Sequence, residues 1–342
     1  ADKKYIPIIE NSENILREMC ENKVRNLYGT ISVVIQEQID WEISSLKRSN
    51  DINLMLIFGK LINSEKIKPY VTNFAGTLSS SLISYLLGIT NANPLPPNYR
   101  CPNRDYSDFD TSRYNAKAGA DLPDKFCPVC GKKLIKDGFN LHKEFEFGYE
   151  GGEHLSVTLN VPAVIRDLIT DIIENMKEIT AVANLPDKWL DPHCKSNDIH
   201  KIIIPEYIKE CDIYSINESY KDFNTDNGYP FYDFYILKNN KRIDMLNYIT
   251  TLGEMTATKP DEIPFNEKEV VDFFCNQILE TPYNGKISSI LSEMEFNIIK
   301  DCKPQNISDI IKCLALSYNK LWEYSVIDLI ETRTASIKDV IS

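Results

Sequence analysis

The sequence predicts an α+β chain, and three observations predict it. Segments with helical spacing occupy both ends, and alternating or aromatic-rich strand segments occupy the middle. Between them a Cys127-Pro-Val-Cys130-Gly131 knuckle marks a small ribbon. Residues 12–28 place Ile15, Leu16, Met19, Val24 and Leu27 near helical spacing, with Ser12 read as N-cap. Residues 31–47 read as an amphipathic helix around Ile35, Ile39, Trp41 and Ile43. The run "NLMLIFGKLI" (53–62) is apolar throughout, so periodicity cannot separate a buried helix from a strand. "GTLSSSLISYLLGI" (76–89) opens with small hydroxyl residues and becomes an apolar helix. "NPLPPNYRCP" (93–102) holds too many prolines for either element and forms a loop into the ribbon.

Beyond the knuckle, "HLSVTLNV" (154–161) alternates like a strand, and residues 163–179 form an amphipathic helix. "KIIIPEYI" and "YPFYDFYIL" are strands. From about 240 onward the pattern is helical, at 241–251, 267–279, 287–299 and 307–319.

Composition excludes several functions. A net charge of −12 leaves no chain-wide cationic surface for a phosphate backbone. A local patch at Lys132, Lys133, Lys136 and Lys143 reads as a solvated face. Of nine cysteines, the six outside the ribbon are scattered, which suits reduced thiols and a cytoplasmic chain, and no apolar run reaches the roughly 18–20 residues of a membrane span. The start "ADKKYIPIIE" is not a signal peptide. Phosphate-loop and dinucleotide-binding glycine motifs are absent. His142, His154, His193 and His200 are dispersed, and Asp233 is the only carboxylate that its context nominates. The first half of the ribbon reads Cys101-Pro-Asn-Arg104, with a cation where a fourth thiolate belongs.

Several stretches together resemble the alpha subunit of bacterial DNA polymerase III of the PolC type. They are "LREMCENKVRNLYG", "WEI", "GTLSSSLISYLLGITNANPLPPNYRCP", "DLPDKFCPVCGKKLIKDG", "FEFGYEGG", "HKIIIPEYI", "RIDMLNYITTLGEMTATKPDEIPFNEKEVVDFF" and "ISDIIKCLALSYNKLWEYSVIDLI". They run colinearly over nearly the whole chain apart from about 165–198. The resemblance implies a nucleotidyltransferase-type, polymerase-beta-like palm over 1–236, with a zinc-ribbon-like insertion at about 98–140. A helical region resembling the segment that leads into the fingers would follow over 237–342. It also implies a truncated relative, without the family's other domains.

In that family three aspartates hold two magnesium ions for nucleotidyl transfer. An ungapped match carries the first two onto Ser156 and Thr158, and the third onto Asp233. Hydroxyls supply no anionic oxygen at neutral pH, so magnesium is not expected. The family's phosphate-binding arginine falls on Ala75, leaving Gly76, Thr77, Ser80 and Ser81 as a remnant. Its four-cysteine zinc site maps onto Cys101, Arg104, Cys127 and Cys130. Zinc on three thiolates, completed by water, Asp105 or His142, stands beside a metal-free ribbon held by apolar contacts. The lost thiolate favours the metal-free form.

The expected function is a catalytically inactive binding or regulatory module acting on DNA or a replisome protein. Neither a membrane nor a small-molecule substrate is expected as a partner. The alternative is a residual DNA polymerase that recruits Asp222, Asp226 or Glu153 around Asp233.

Overall fold

Leu16, Cys20, Val24 and Tyr28 recur every fourth residue, so one helical face carries them all. They form the buried stripe of α1 (Ser12–Tyr28) in the computed structural model. The structure describes residues 9–49, 51–67, 80–141, 241–257, 267–285, 287 and 291–316. It also describes the backbone of five strands at 73–75, 157–160, 181–184, 199–204 and 232–237. Ser12 is the first helical residue of α1 rather than its cap. Asn11 precedes it with φ 57°, and its carbonyl accepts from the Ile15 amide at 3.1 Å.

Helix α2 (Val33–Ser49) buries Ile35, Ile39, Ile43 and Leu46 against α1. The apolar run resolves as a helix, α3 (Ile52–Ile62), in which nine of the eleven residues are buried. Its neighbours surround it, which is why it shows no polar face for a period to reveal. Helix α4 (Leu82–Leu86) completes this layer, and the four helices share one apolar cluster. Fully burying each such Leu or Ile contributes roughly 1.5–3 kcal/mol.

The main sheet is mixed. It comprises β1 (Asn73–Ala75), β5 (Val157–Asn160), β6 (Ala181–Asn184), β7 (Ile199–Ile204) and β8 (Tyr232–Leu237), in spatial order β1-β5-β8-β7-β6. The β5–β8 pair is parallel and the other pairs are antiparallel. Two strands of this sheet escaped the sequence reading, as did Asn98–Arg100 of the ribbon, which lies in the proline-rich stretch read as a loop. β1 lies in the segment assigned to the phosphate turn, and β6 is only four residues long, "AVAN". The amphipathic stretch at 163–179 lies outside the described residues.

The ribbon is a separate three-stranded sheet, β3 (Ser107–Asp108), β2 (Asn98–Arg100) and β4 (Ile135–Asp137), in the order β3-β2-β4. Its two ends are pinned together. Amides of Phe139, Asn140 and Leu141 donate to the carbonyls of Asn93, Leu95 and Pro94.

Among the described residues four helical segments follow. Helix α5 spans Lys241–Thr256, and α6 starts as Lys268–Asp272, passing through a π-helical turn Phe273–Gln277 into Ile278–Glu280. Helix α7 (Glu293–Cys302) begins later than its apolar period suggests. Ser292 and Glu295 form a reciprocal capping box there, which fixes the first turn. Helix α8 (Ile307–Leu316) is capped locally by Asn306, whose side chain accepts from the Asp309 amide at 2.9 Å, and a second time from far away. The Asp121 carboxylate of the ribbon accepts from the Ile307 amide at 2.8 Å and the Ser308 amide at 3.1 Å. Among the described residues no helix is long and apolar enough to cross a membrane.

Candidate functional site

Both halves of the ribbon form knuckle-shaped loops. The Cys101 amide donates to the Tyr106 carbonyl at 2.8 Å, and the Cys127 amide to the Lys132 carbonyl at 2.8 Å. Each bond spans five residues and curls its loop around a sulfur. The result brings Cys101, Cys127 and Cys130 together, with their sulfurs within 4.8 Å of one another and the Cys101–Cys130 pair at 3.3 Å. Across a tetrahedral zinc with Zn–S of about 2.3 Å, sulfurs stand ~3.8 Å apart, so this spacing fits the ion. Arg104, at the fourth position, is exposed, and a guanidinium offers no lone pair to a metal.

The electrostatics of the thiols agree. Burial opposes ionisation of Cys127, but the amides of Cys130 and Val129 donate to its sulfur and hold the thiol below its ordinary value. At Cys130 the Lys132 amide favours the thiolate. Burial and the two neighbouring sulfurs outweigh it and push the thiol up to about 11. Around the three sulfurs Tyr99, Leu122 and Leu134 form a small apolar core.

The ribbon lysines are paired rather than presented as a cationic stripe. Lys133 and Lys136 both bind Asp124, at 2.6 and 3.0 Å. Lys132 donates to the Asn103 side chain at 2.9 Å, while Lys143 lies outside the described residues. Lys125 binds Asp108 at 2.6 Å and lies 5.1 Å from the Tyr99 ring centroid. Burial disfavours the charged form of Asp108, but Lys125 and the Asp110 amide hold its carboxyl below the usual range. A carboxylate whose folded pKa is depressed contributes stability that is present above its unfolded pKa and lost as pH falls through the folded one. Wild type is therefore expected to lose stability relative to Asp108→Asn between about pH 5 and about pH 3, measured as urea midpoints. Parallel pH profiles for the two proteins would refute this.

In the main sheet the positions singled out from the sequence fall in register. Ala75 on β1 pairs with Thr158 on β5, and Thr158 pairs with Tyr235 on β8. His200 of β7 pairs with Tyr235 from the other side, so one row crosses four strands. Asp233 precedes Tyr235 by two residues and pairs with Ile202. Strand alternation gives Asp233 and Thr158 the same parity on adjacent parallel strands. Ser156, Gly76, Thr77, Asp222, Asp226, Glu153 and His142 lie outside the described residues.

Ser81 calls for a correction. Read as part of a phosphate-binding remnant, it is buried and caps α4. Its hydroxyl accepts from the Ser84 amide at 3.1 Å and donates to Glu42 at 2.7 Å. Glu42, also buried, accepts from the Leu82 and Ile83 amides at 2.8 and 2.9 Å and from the Gln38 side chain at 2.8 Å. Burial pushes the Glu42 carboxyl up, against these four donors. A carboxylate from α2 thus already occupies the amides that an anion would seek. Sequence reading did not nominate it; the only trace was the "WEI" stretch around it.

Comparison with known proteins relates the sequence to a family. Residues 14–136 match the family model described as the bacterial DNA polymerase III alpha NTPase domain. The match relates the chain to bacterial replicative polymerase subunits. More particularly, the chain is a relative of the PolC-type DNA polymerase III proteins. It is 23% identical to that of Pediococcus pentosaceus, over 99% of this chain and 27% of the relative. Identity to the Bacillus subtilis protein is 24%, over 99% of this chain and 27% of the relative. A 176-residue stretch, 51% of this chain and 13% of the relative, is 35% identical to the Thermotoga petrophila protein. The chain therefore spans about a quarter of the length of the two relatives that it matches end to end.

Proposed function

We propose that this chain is a catalytically inactive, polymerase-like module that binds or regulates, with DNA or a replisome protein in the bacterial cytoplasm as its partner. The observation that carries the reading is the register across β1, β5 and β8. The positions matching the family's phosphate arginine and one of its paired aspartates, Ala75 and Thr158, are direct neighbours. The matching third carboxylate, Asp233, has the same parity on the next strand. That these proposed correspondences, drawn from separate stretches of sequence, lie on neighbouring strands supports a palm of the nucleotidyltransferase type. Two of the three residues there lack the charge that the chemistry needs. A single carboxylate leaves hard divalent cations with too few anionic oxygens.

Zinc is part of the proposal. The lost thiolate by itself favours a metal-free ribbon, but the convergence of Cys101, Cys127 and Cys130 supports the zinc-bound form. The ion would act as a structural cross-link between the two knuckles.

Primer extension with magnesium or manganese tests the catalytic reading. The expected result is incorporation no greater than that of Asp233→Asn. Extension that disappears on that substitution would establish a working transferase and favour recruitment of Asp222, Asp226 or Glu153. A salt-dependent DNA titration and capture of partners from the host separate a nucleic-acid partner from a protein one.

A further inference from the structure

We propose that Asp105 has taken the place of the missing thiolate as the fourth zinc ligand of the ribbon; this rests on the reading of the three sulfurs as zinc ligands. The argument comes from comparing the two knuckles residue by residue. Both loops close with a bond from residue i to i+5, so they have equal length. In the intact knuckle the left-handed residue is Gly131 (φ 72°), immediately after the ligand Cys130. In the altered knuckle the left-handed residue is Arg104 (φ 69°), one position earlier in the loop. Arginine gains nothing from that conformation, and a non-glycine residue held there costs on the order of 1 kcal/mol.

The reason it stays there is packing. Gly29, at the end of α1, meets the Arg104 backbone so closely that any Cβ would collide with it. The shift of the left-handed residue has a consequence for its successor. Asp105, which matches Gly131 in the loop, sends its carboxylate to 3.9 Å from the Cys101 sulfur. For Zn–S near 2.3 Å and Zn–O near 2.1 Å, a ligand oxygen stands ~3.6 Å from a ligand sulfur across a tetrahedral ion. The Asp105 oxygens do not lie within 4.8 Å of all three sulfurs, so ligation requires this exposed side chain to swing further toward Cys127 and Cys130. A carboxylate also brings the negative charge that Arg104 removed, and it does so one residue away from a side chain that points to solvent. The lost ligand and its replacement are therefore adjacent in sequence, which a motif search for paired cysteines would miss.

The test uses the full chain purified without added metal, with zinc measured by elemental analysis and cobalt(II) as a spectroscopic probe. The expected result is one zinc per chain, displaced by cobalt to give the strong visible bands of a tetrahedral thiolate site. Asp105→Ala should weaken zinc binding by about tenfold or more, given that even outer-shell partners act on that scale. In that variant the vacated position opens to exogenous ligands, so added azide should shift the cobalt bands of Asp105→Ala and leave wild type unchanged. Equal affinity and equal azide response in the two proteins would show that water completes the shell, overturning the role of Asp105 alone. A protein that holds neither zinc nor cobalt, or that shows a Cys101–Cys130 disulfide instead, would overturn the three-thiolate reading itself.

Discussion

Replacing Glu42 with alanine is expected to lower the unfolding free energy by about 3–5 kcal/mol, a large share of the 5–15 kcal/mol typical of a folded chain. The short helix α4 has no room to satisfy its own first amides, and they are buried. Glu42 accepts from two of them, Leu82 and Ile83, and Ser81 accepts from a third at Ser84. The fourth, at Tyr85, reaches the Ser81 carbonyl. Alanine would leave two backbone donors with no partner and no route to water, each costing about 1–3 kcal/mol, plus a cavity. Gln38 and Ser81, which also donate to Glu42, can turn elsewhere and add less. Ser81→Ala is the calibrating variant, expected to cost only about 1 kcal/mol as an ordinary cap loss. Urea denaturation measures both. Equal costs for the two variants would show that the buried carboxylate is dispensable.

The second large effect is expected at Gly29→Ala, at about 2–4 kcal/mol. Two penalties act together there. The residue sits at φ 80°, where an L side chain is strained by roughly 1–2 kcal/mol. Its new methyl would also fall on the Arg104 peptide, whose carbonyl carbon lies 3.2 Å from the Cβ position and whose oxygen lies closer still. Backbone cannot rotate aside as a side chain can, so α1 and the first knuckle must separate. Gly131→Ala isolates the conformational share, since φ is 72° but nothing lies within 4 Å; it should cost about 1 kcal/mol. Thermal or urea unfolding measures both variants. A Gly29→Ala cost no larger than that of Gly131→Ala would mean that the knuckle yields freely. A real cost should be accompanied by weaker zinc binding, because the displaced peptide carries Asp105.

What was legible beforehand follows from how each feature writes itself into a chain. Helices α1 and α2 show a three-to-four-residue apolar period because one face is buried and the other is wet. Helix α3 shows none, because its neighbours cover it nearly all round. Strand β6 was missed because four residues of "AVAN" carry no alternation long enough to count. The start of α8 was legible at 307, where Asn306 caps it locally, but its second cap, Asp121, could not be read because the ribbon supplies it from almost two hundred residues away. At the candidate sites the cysteines were legible, since knuckle spacing is a local property. Ser81 was misread, because a hydroxyl near a glycine-containing turn looks the same whether it faces phosphate or a buried carboxylate.

By itself, then, the chain's sequence determined its kinship with the PolC-type polymerases and its mixed helical and stranded character. Those are matters of residue type and local spacing. Only the tertiary structure decided that Ala75, Thr158 and Asp233 share neighbouring strands, that Glu42 fills the end of α4, and that Asp105 turns toward the thiols. Each of those depends on a contact between distant segments, and the energy of such a contact is set by what surrounds it rather than by what precedes it in the chain.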